Sequence, residues 1–460
     1  MSSGRDNGAG LNALERRAAY SLSGLFSLRM LGLFLILPVF ALYAEELPEV
    51  TPLLVGIAIG IYGLTQALLQ IPFGMLSDHI GRKPVLIGGL LIFALGSAVA
   101  ASAETIHGII LGRALQGSGA IAAVIMALAA DLSREQRRLR MMAIIGISIG
   151  VAFAVSLIMG PILNAWIGVP GIFWLTAVLA LAGVAIVIFV VPTPRESHFH
   201  RDAEAVPGQF GQVLSDPELL RLDFGILTLH MCLTAMFLAY PLALRDLGLV
   251  SDSHWLVYLP VMLASMLAMI PFVILAESRR RMRPVFLAAI ASLAVASTLL
   301  YGFSQSLVLM VLSLFVFFTA FNLLEATLPS LIAKAAPGER KGTAMGVYSS
   351  SQFIGAFLGG ALGGWIHTRY GIEGTFLLCG AMALVWLLLA WGMPDPSYLS
   401  NYLLPVGELD EGEMRSLAEK LMAIDGVDDA VIIAEDGVAY LKVDLGIVDR
   451  DRLEEYAVQG

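Results

Sequence analysis

Two groupings of side chains are costly in a chain this apolar, and both have types that do chemistry. The first is GMLSDHIGRK, which puts Gly74, Asp78, Gly81, Arg82 and Lys83 within ten positions. On a helix, Asp78 lies one turn from both Gly74 and Arg82, so an acid–base pair stands beside a residue small enough to admit a close neighbour. Asp131, at the end of a later apolar run, is a second acid able to share Arg82. An anion near a helix C-terminus is unfavourable unless a cation offsets it. The group is therefore expected to act as an ionic latch between helix ends, with Gly81 making the tight turn. Bases after an apolar run also serve simple topology, and an Arg-Lys pair alone says no more than that. The full glycine–acid–glycine–base spacing is the more specific signal.

The second grouping consists of ionisable residues inside apolar runs, where a charge costs roughly 2.5–3.5 kcal/mol and survives when it faces a partner or a cavity. Arg29 sits in LFSLRMLGLF, Arg113 in RALQGSGA and Glu325 in FNLLEATLPSL. A carboxyl in such a setting can take up and release a proton near neutral pH, which makes Glu325 the candidate proton-coupling residue. Its plainer reading is structural, as the partner of Arg29 or Arg113 or as a protonated acid bonded to a neighbour. Arg113 is expected to face a central cavity with Gln116 and Ala120 beside it at helical spacing. His230, in LTLHMCL, can titrate as well, although a lone helical histidine is more often a bonded packing residue. Gln66, Asn322 and Gln352 are polar positions in otherwise apolar runs and candidate cavity liners.

The elements that must position these residues follow from composition. Of 460 residues, 58% are hydrophobic and 14% charged, against about a quarter charged in soluble chains. Apolar runs of about twenty residues, enough to cross ~30 Å of hydrocarbon, recur along the first four hundred positions. They predict twelve helical spans near 19–43, 52–77, 84–103, 105–130, 142–165, 170–192, 222–247, 254–276, 284–303, 306–333, 342–366 and 372–393. The first sixteen residues are polar and the first run is long, so no cleaved leader is expected. With the N-terminus in the cytoplasm, nineteen Lys and Arg before the tail fall on the cytoplasmic side and two, Arg245 and Arg369, on the other. The bias fits the positive-inside rule. It predicts a multi-pass protein of a bacterial inner membrane with both termini cytoplasmic.

The spans form two copies. Ile71-Pro72-Phe73 recurs as Ile270-Pro271-Phe272, with Asp78 matching Glu277 and Arg82 matching Arg281 at one offset. The expected organisation is an N-terminal six-helix half (1–192), a polar linker (193–221), a C-terminal six-helix half (222–396) and a soluble tail (397–460). Repeats of this kind place a substrate site near the bilayer midplane and move one repeat against the other. The glycine rows Gly146-Gly150 and Gly355-Gly359-Gly363 are expected to mark close helix contacts.

The tail reads strand, helix, strand, Asp436-Gly437 turn, strand, short helix, the order of a small α+β ferredoxin-like domain. From Tyr398 onward it holds fifteen acids and five bases, which argues against nucleic acid or anionic lipid as partners. IDGVDDAVIIAEDGVAYLKVD resembles heavy-metal-associated domains but lacks their Cys-x-x-Cys, so no metal is expected. Cys232 and Cys379 have no ligand spacing either. A sensing role, self-association through a free sheet edge and a passive appendage all remain open for the tail of an otherwise monomeric protein.

Gly74, Asp78, Gly81, Arg82 and Lys83 match motif A of the major facilitator superfamily, G-x-x-x-D-x-x-G-R-[RK], and the chain resembles that superfamily along its whole length. RALQGSGA resembles motif B. MGPILNA, around Gly160-Pro161, resembles the motif C of drug/proton antiporters in part, with Ser156 where that motif has glycine and Asn164-Ala165 where it has Gly-Gly. The tail resembles the extra domain of the YajR-type branch. The resemblance implies an alternating-access secondary transporter, with the residues matching Asp78, Arg82 and Asp131 forming a charge relay at a cytoplasmic gate. It implies a proton-coupled exporter of small molecules, with protons and the lipid bilayer as its other partners. A proton-linked importer or facilitator of metabolites, or a membrane sensor with a signalling tail, are the alternatives. No Walker-type phosphate loop is present, and neither a cofactor nor an enzymatic activity is expected.

Overall fold

The computed structural model describes residues 11–194, 205–394, 400–407, 409–433, 437–444 and 446–457. Asp436 and residues 195–204 of the expected linker lie outside them. Among the described residues thirteen α-helices precede the tail: α1 (Ala13–Phe34), α2 (Leu37–Ala44), α3 (Pro52–Ile80), α4 (Arg82–Ala101), α5 (Ile106–Ser118), α6 (Ala122–Asp131), α7 (Glu135–Phe189), α8 (Phe210–Val213), α9 (Pro217–Asp246), α10 (Trp255–Glu277), α11 (Met282–Gly302), α12 (Leu307–Ala335) and α13 (Lys341–Trp391).

Ten helical segments among the described residues are long and apolar enough to cross a bilayer. Two of these, α7 and α13, exceed fifty residues, about 75 Å at 1.5 Å per residue, more than twice a ~30 Å hydrocarbon core. Each is broken by a glycine with a positive φ, Gly168 (66°) in α7 and Gly371 (70°) in α13. A side chain there would be strained, so glycine permits the reversal between two spans. Ten segments with two such breaks give the twelve spans expected. Two spans are interrupted, α1/α2 just before Pro38 and α5/α6 at Gly119–Ile121. The second break turns the Gly119 carbonyl out of the helical ladder, where an interior donor can reach it.

The tail builds β1 (Ser400–Pro405), α14 (Glu411–Met422), β2 (Val427–Ile433), β3 (Val438–Val443) and α15 (Arg450–Glu454). The strands pair antiparallel in the order β1-β3-β2, with Leu403 opposite Tyr440 and Val431 also opposite Tyr440. Among the described residues this is the order of the first three strands of a ferredoxin-like sheet, with β1 at an edge. Leu404, Leu421, Ala439, Leu441, Val443 and Leu453 close the core. Asp410 caps α14 in a capping box with Glu413.

By contacts the chain divides into two units. The first holds Met1–Phe199, Leu233–Pro260 and Ala356–Thr375; the second holds His200–Cys232, Val261–Gly355 and Phe376–Gly460.

Candidate functional site

In the first unit the motif around Asp78 is assembled as a cluster. Gly81, at φ 92°, ends α3 and starts α4, and this turn carries Arg82 back over the last turn of α3. The Arg82 guanidinium bonds the Asp78 carboxylate, the Ser77 hydroxyl at 2.8 Å and Asp131 Oδ2 at 3.0 Å. Arg82 and Asp131 are buried, while Asp78 keeps partial exposure. Three helices, α3, α4 and α6, are thus pinned by one cation. Lys83 turns elsewhere: its Nζ donates to the Val191 carbonyl at 2.7 Å, beyond the end of α7, where Arg17 also donates to the Val190 carbonyl at 2.8 Å. Both bases satisfy carbonyls that a helix C-terminus leaves unbonded. Gly74 is not a point of forced approach, since a Cβ there would meet Ala123 at an ordinary 3.5 Å.

Arg29 and Arg113 occupy the interior of the same unit rather than an open cavity, because both are almost completely buried. Arg113 donates to the Ala58 and Ile59 carbonyls at 3.3 Å each and to Gln116 Oε1 at 2.8 Å; Gln116 in turn donates to Ser97 at 2.7 Å. Arg29 uses Nη2 to bond Gln66 and the Gly119 carbonyl that the α5/α6 break presents. The Tyr62 ring lies 5.9 Å from the Arg29 guanidinium carbon and 5.1 Å from that of Arg113, close enough for cation–π attraction. Gln66, expected to line a cavity, is instead a buried clamp on Arg29.

In the second unit three helices bring the other candidates together. Gln352 of α13 donates through Nε2 to Glu325 Oε1 of α12 at 3.3 Å and lies 2.8 Å from His230 Nε2 of α9. His230 Nε2 is 3.8 Å from Glu325 Oε2. The partners of Glu325 are thus an amide and an imidazole, not an arginine. Its side chain retains 38% of its surface, so this acid borders open space while its Oε2 is buried without a hydrogen bond. Asn322, one turn back on α12, donates to Ser265 at 3.2 Å. Glu277, the counterpart of Asp78, meets Lys334 at 3.2 Å. The second repeat therefore keeps an acid–base contact with a cation from a different helix.

Several contacts escaped the sequence reading. In the first unit Gly56 and Gly60 of α3 press against Gly360 and Phe357 of α13, and Gly364 presses against Pro52 and Leu53. Added Cβ atoms would run into backbone, so these glycines, each pair four residues apart, are the ones close contact requires. Gly355 and Gly363 are also in contact, with Leu227 and Ala235, as expected. Gly146 and Gly150 are not: a Cβ at either meets nothing within 4 Å, and the expectation of a close helix there is corrected. Glu15 is buried and receives Arg134 through Nε at 2.9 Å and through its backbone N–H at 3.0 Å. Its signal was legible, because Asn12 and Glu15 form a capping box. Asp223 of α9 is buried too, although an acid near the start of a span carries no sequence signal that separates it from a solvated flank.

Twelve spans in two repeats, with an acid–arginine–acid cluster at the end of the second span, define a multi-pass membrane transporter. The chain belongs to the Major Facilitator Superfamily, whose profile matches residues 22–321 and 222–402; the YajR YAM domain matches residues 410–460. It is 46% identical over 441 residues to the inner membrane transport protein YajR of Escherichia coli, covering 96% of this chain and 97% of that one. An uncharacterized transporter of Buchnera aphidicola is 34% identical across 76% of this chain and 90% of its own. Among solved structures, the human organic anion transporter MFSD10 aligns with a TM-score of 0.61 at 17% identity, over 82% of this chain and 99% of its own. At that identity the likeness concerns the fold. The chain is a transporter of the YajR type and not an enzyme.

Proposed function

We propose that the chain exports small molecules across a bacterial inner membrane by alternating access, driven by proton entry, with Glu325 as the coupling carboxyl. One observation carries this reading: Glu325 lies mid-span, bordering open space, with a neutral amide and a titratable imidazole as its partners and no arginine or lysine paired with it among the described residues. A carboxylate so placed is stable in low dielectric when it carries a proton, and losing the proton changes the energy of the arrangement around it. A proton crossing ~100 mV gains about 2.3 kcal/mol, enough to bias an equilibrium about fortyfold at 1.4 kcal/mol per decade. The Asp78–Arg82–Asp131 cluster holds α3, α4 and α6 as one body, the rigid counterpart such a cycle requires.

The test is transport by purified protein in sealed vesicles with an imposed pH difference, using a panel of dyes and drugs. Substrate movement should follow the gradient in the wild type and uncouple from it in Glu325→Gln. Full coupled transport in that variant would remove Glu325 from the mechanism. Import with the gradient, the alternative kept open by Ser156 standing in the partial motif C, would reverse the sign of the response.

A further inference from the structure

Asp223 is 5% exposed, and neither of its carboxylate oxygens has a hydrogen-bond partner among the described residues. It stands on α9 among Leu219, Leu222 and Ile226, all buried, while Gly225 beside it packs under the Trp386 indole. A bare carboxylate in such a place is among the most expensive groups a protein can hold, and a protonated one is far cheaper. Arg221, the cation nearest in sequence, does not neutralise it, for Arg221 donates to the Gly392 carbonyl at 3.3 Å.

The position of Asp223 is as informative as its burial. His230 follows it by seven residues on α9, two helical turns or about 10 Å along the axis on the same face. Tyr348 of α13 interacts electrostatically with both Asp223 and Glu325. It is buried and its hydroxyl has no hydrogen-bond partner among the described residues. One turn further along α13 is Gln352, which bonds Glu325 and meets His230. The titratable groups at this corner of the second unit are therefore Tyr348 from α13, Glu325 from α12 and His230 from α9 itself. They form a ladder with Asp223 at the end nearer the start of α9 and Glu325 near mid-span.

We propose that Asp223 is a second proton-carrying carboxyl of the transport cycle, the next station after Glu325, with Tyr348 between them. Tyr348 is hydrogen-bonded to neither acid in this arrangement, so the transfer belongs to another step of the cycle, in which its hydroxyl accepts the proton leaving the Glu325 carboxyl as it releases its own to Asp223. Glu325 is left ionised and Asp223 neutral, and no other reactant is needed. The proposal rests on Glu325 being the coupling site, and its test separates the two.

That test takes the proton itself as probe. In pH-difference infrared spectra of the full-length chain in lipid, wild type should show two protonated-carboxyl bands that vanish on alkalinisation. The buried acids Glu15 and Asp131 are paired with arginines and do not contribute. Asp223→Asn should lose one band and Glu325→Gln the other, while Tyr348→Phe should retain both and shift the titration midpoint of each. Should Asp223→Asn fail to fold, Asp223→Ser carries the same expectation. Both bands surviving in a folded Asp223 variant would overturn the proposal and leave Glu325 untouched. Both surviving in Glu325→Gln would instead overturn the reading of Glu325. Midpoints unmoved in Tyr348→Phe would remove the relay.

Discussion

Gly56→Ala should shift the conformational equilibrium of the transporter. A Cβ at Gly56 would overlap the Gly360 carbonyl oxygen and lie 2.8 Å from the Gly360 carbonyl carbon and 3.3 Å from Gly364 Cα. Ordinary contact begins at 3.4 Å, so α3 and α13 must separate by at least 0.6 Å, the difference of 3.4 and 2.8. The atoms in the way are backbone, so no side chain can rotate aside. Overpacking of this kind costs about 1–3 kcal/mol, and at 1.4 kcal/mol per decade the packed arrangement should lose roughly 5- to 150-fold in population. Spin labels at Glu46 and Thr368, both exposed, report the separation, and the buried thiols of Cys232 and Cys379 escape labelling. The wild type should give one short distance and Gly56→Ala a longer one. Gly24→Ala, where a Cβ meets nothing within 4 Å, should leave the distance as it is. A folded Gly56→Ala protein with the wild-type distance would show that this contact is not one the transport cycle opens.

Two further outcomes are expected. Asp131→Asn strips a buried partner from buried Arg82 and should cost about 3–5 kcal/mol. Asp78→Asn, at the partly exposed end of the cluster, should cost about 1 kcal/mol and slow turnover; thermal unfolding in detergent ranks the two, and equal losses would refute the assigned burial. At the tail, the Gly446 N–H first, and then the Arg280 guanidinium at 3.2 Å, hold the Asp444 carboxyl below its ordinary 3.8. A depressed carboxyl contributes stability above its unfolded value and loses it as pH falls through the folded one. Hydrogen exchange at the Gly338–Arg340 turn, which Tyr440 packs against, should therefore stay slow through neutral and mildly acidic pH and rise below that range. Asp444→Asn should exchange fast throughout.

Much of this fold was legible because a bilayer makes strict demands: each crossing needs about twenty apolar residues, and cations stay on one side. The breaks at Gly168 and Gly371 fall between spans read from hydropathy alone. The tail's β-α-β-β-α order followed from alternation and turn residues. The choice of neighbour was not legible. Gly146 and Gly150 have the spacing of a contact stripe and face open space, whereas Gly56 and Gly60 have it and touch backbone. Periodicity gives a face but does not say what lies opposite. The arginines misled for a related reason: a buried guanidinium needs acceptors, and the Gly119 carbonyl freed by a helix break, for Arg29, and the Ala58 and Ile59 carbonyls of α3, for Arg113, supply them as well as a cavity does. Asp223 was overlooked because an acid six residues into a helix looks like a solvated flank until its burial is known.

The two repeats have kept one architecture and divided its chemistry. In the first, the mid-span charges Arg29 and Arg113 are arginines, which stay protonated and are held by carbonyls and amides, and the buried acids Glu15 and Asp131 are each paired with an arginine. In the second, the interior groups are Glu325, His230 and Asp223, all able to change charge, and each leaves buried polar atoms without a hydrogen bond. A group that never titrates can hold helices together through every step but cannot sense a proton. A titratable, under-bonded group is a poor clamp, and a single proton alters its energy by an amount comparable with the gap between two conformations. The division of permanent from switchable charge follows the repeat boundary in the sequence. Coupling is therefore expected to fail through substitutions in the second repeat, and rigidity through substitutions in the first.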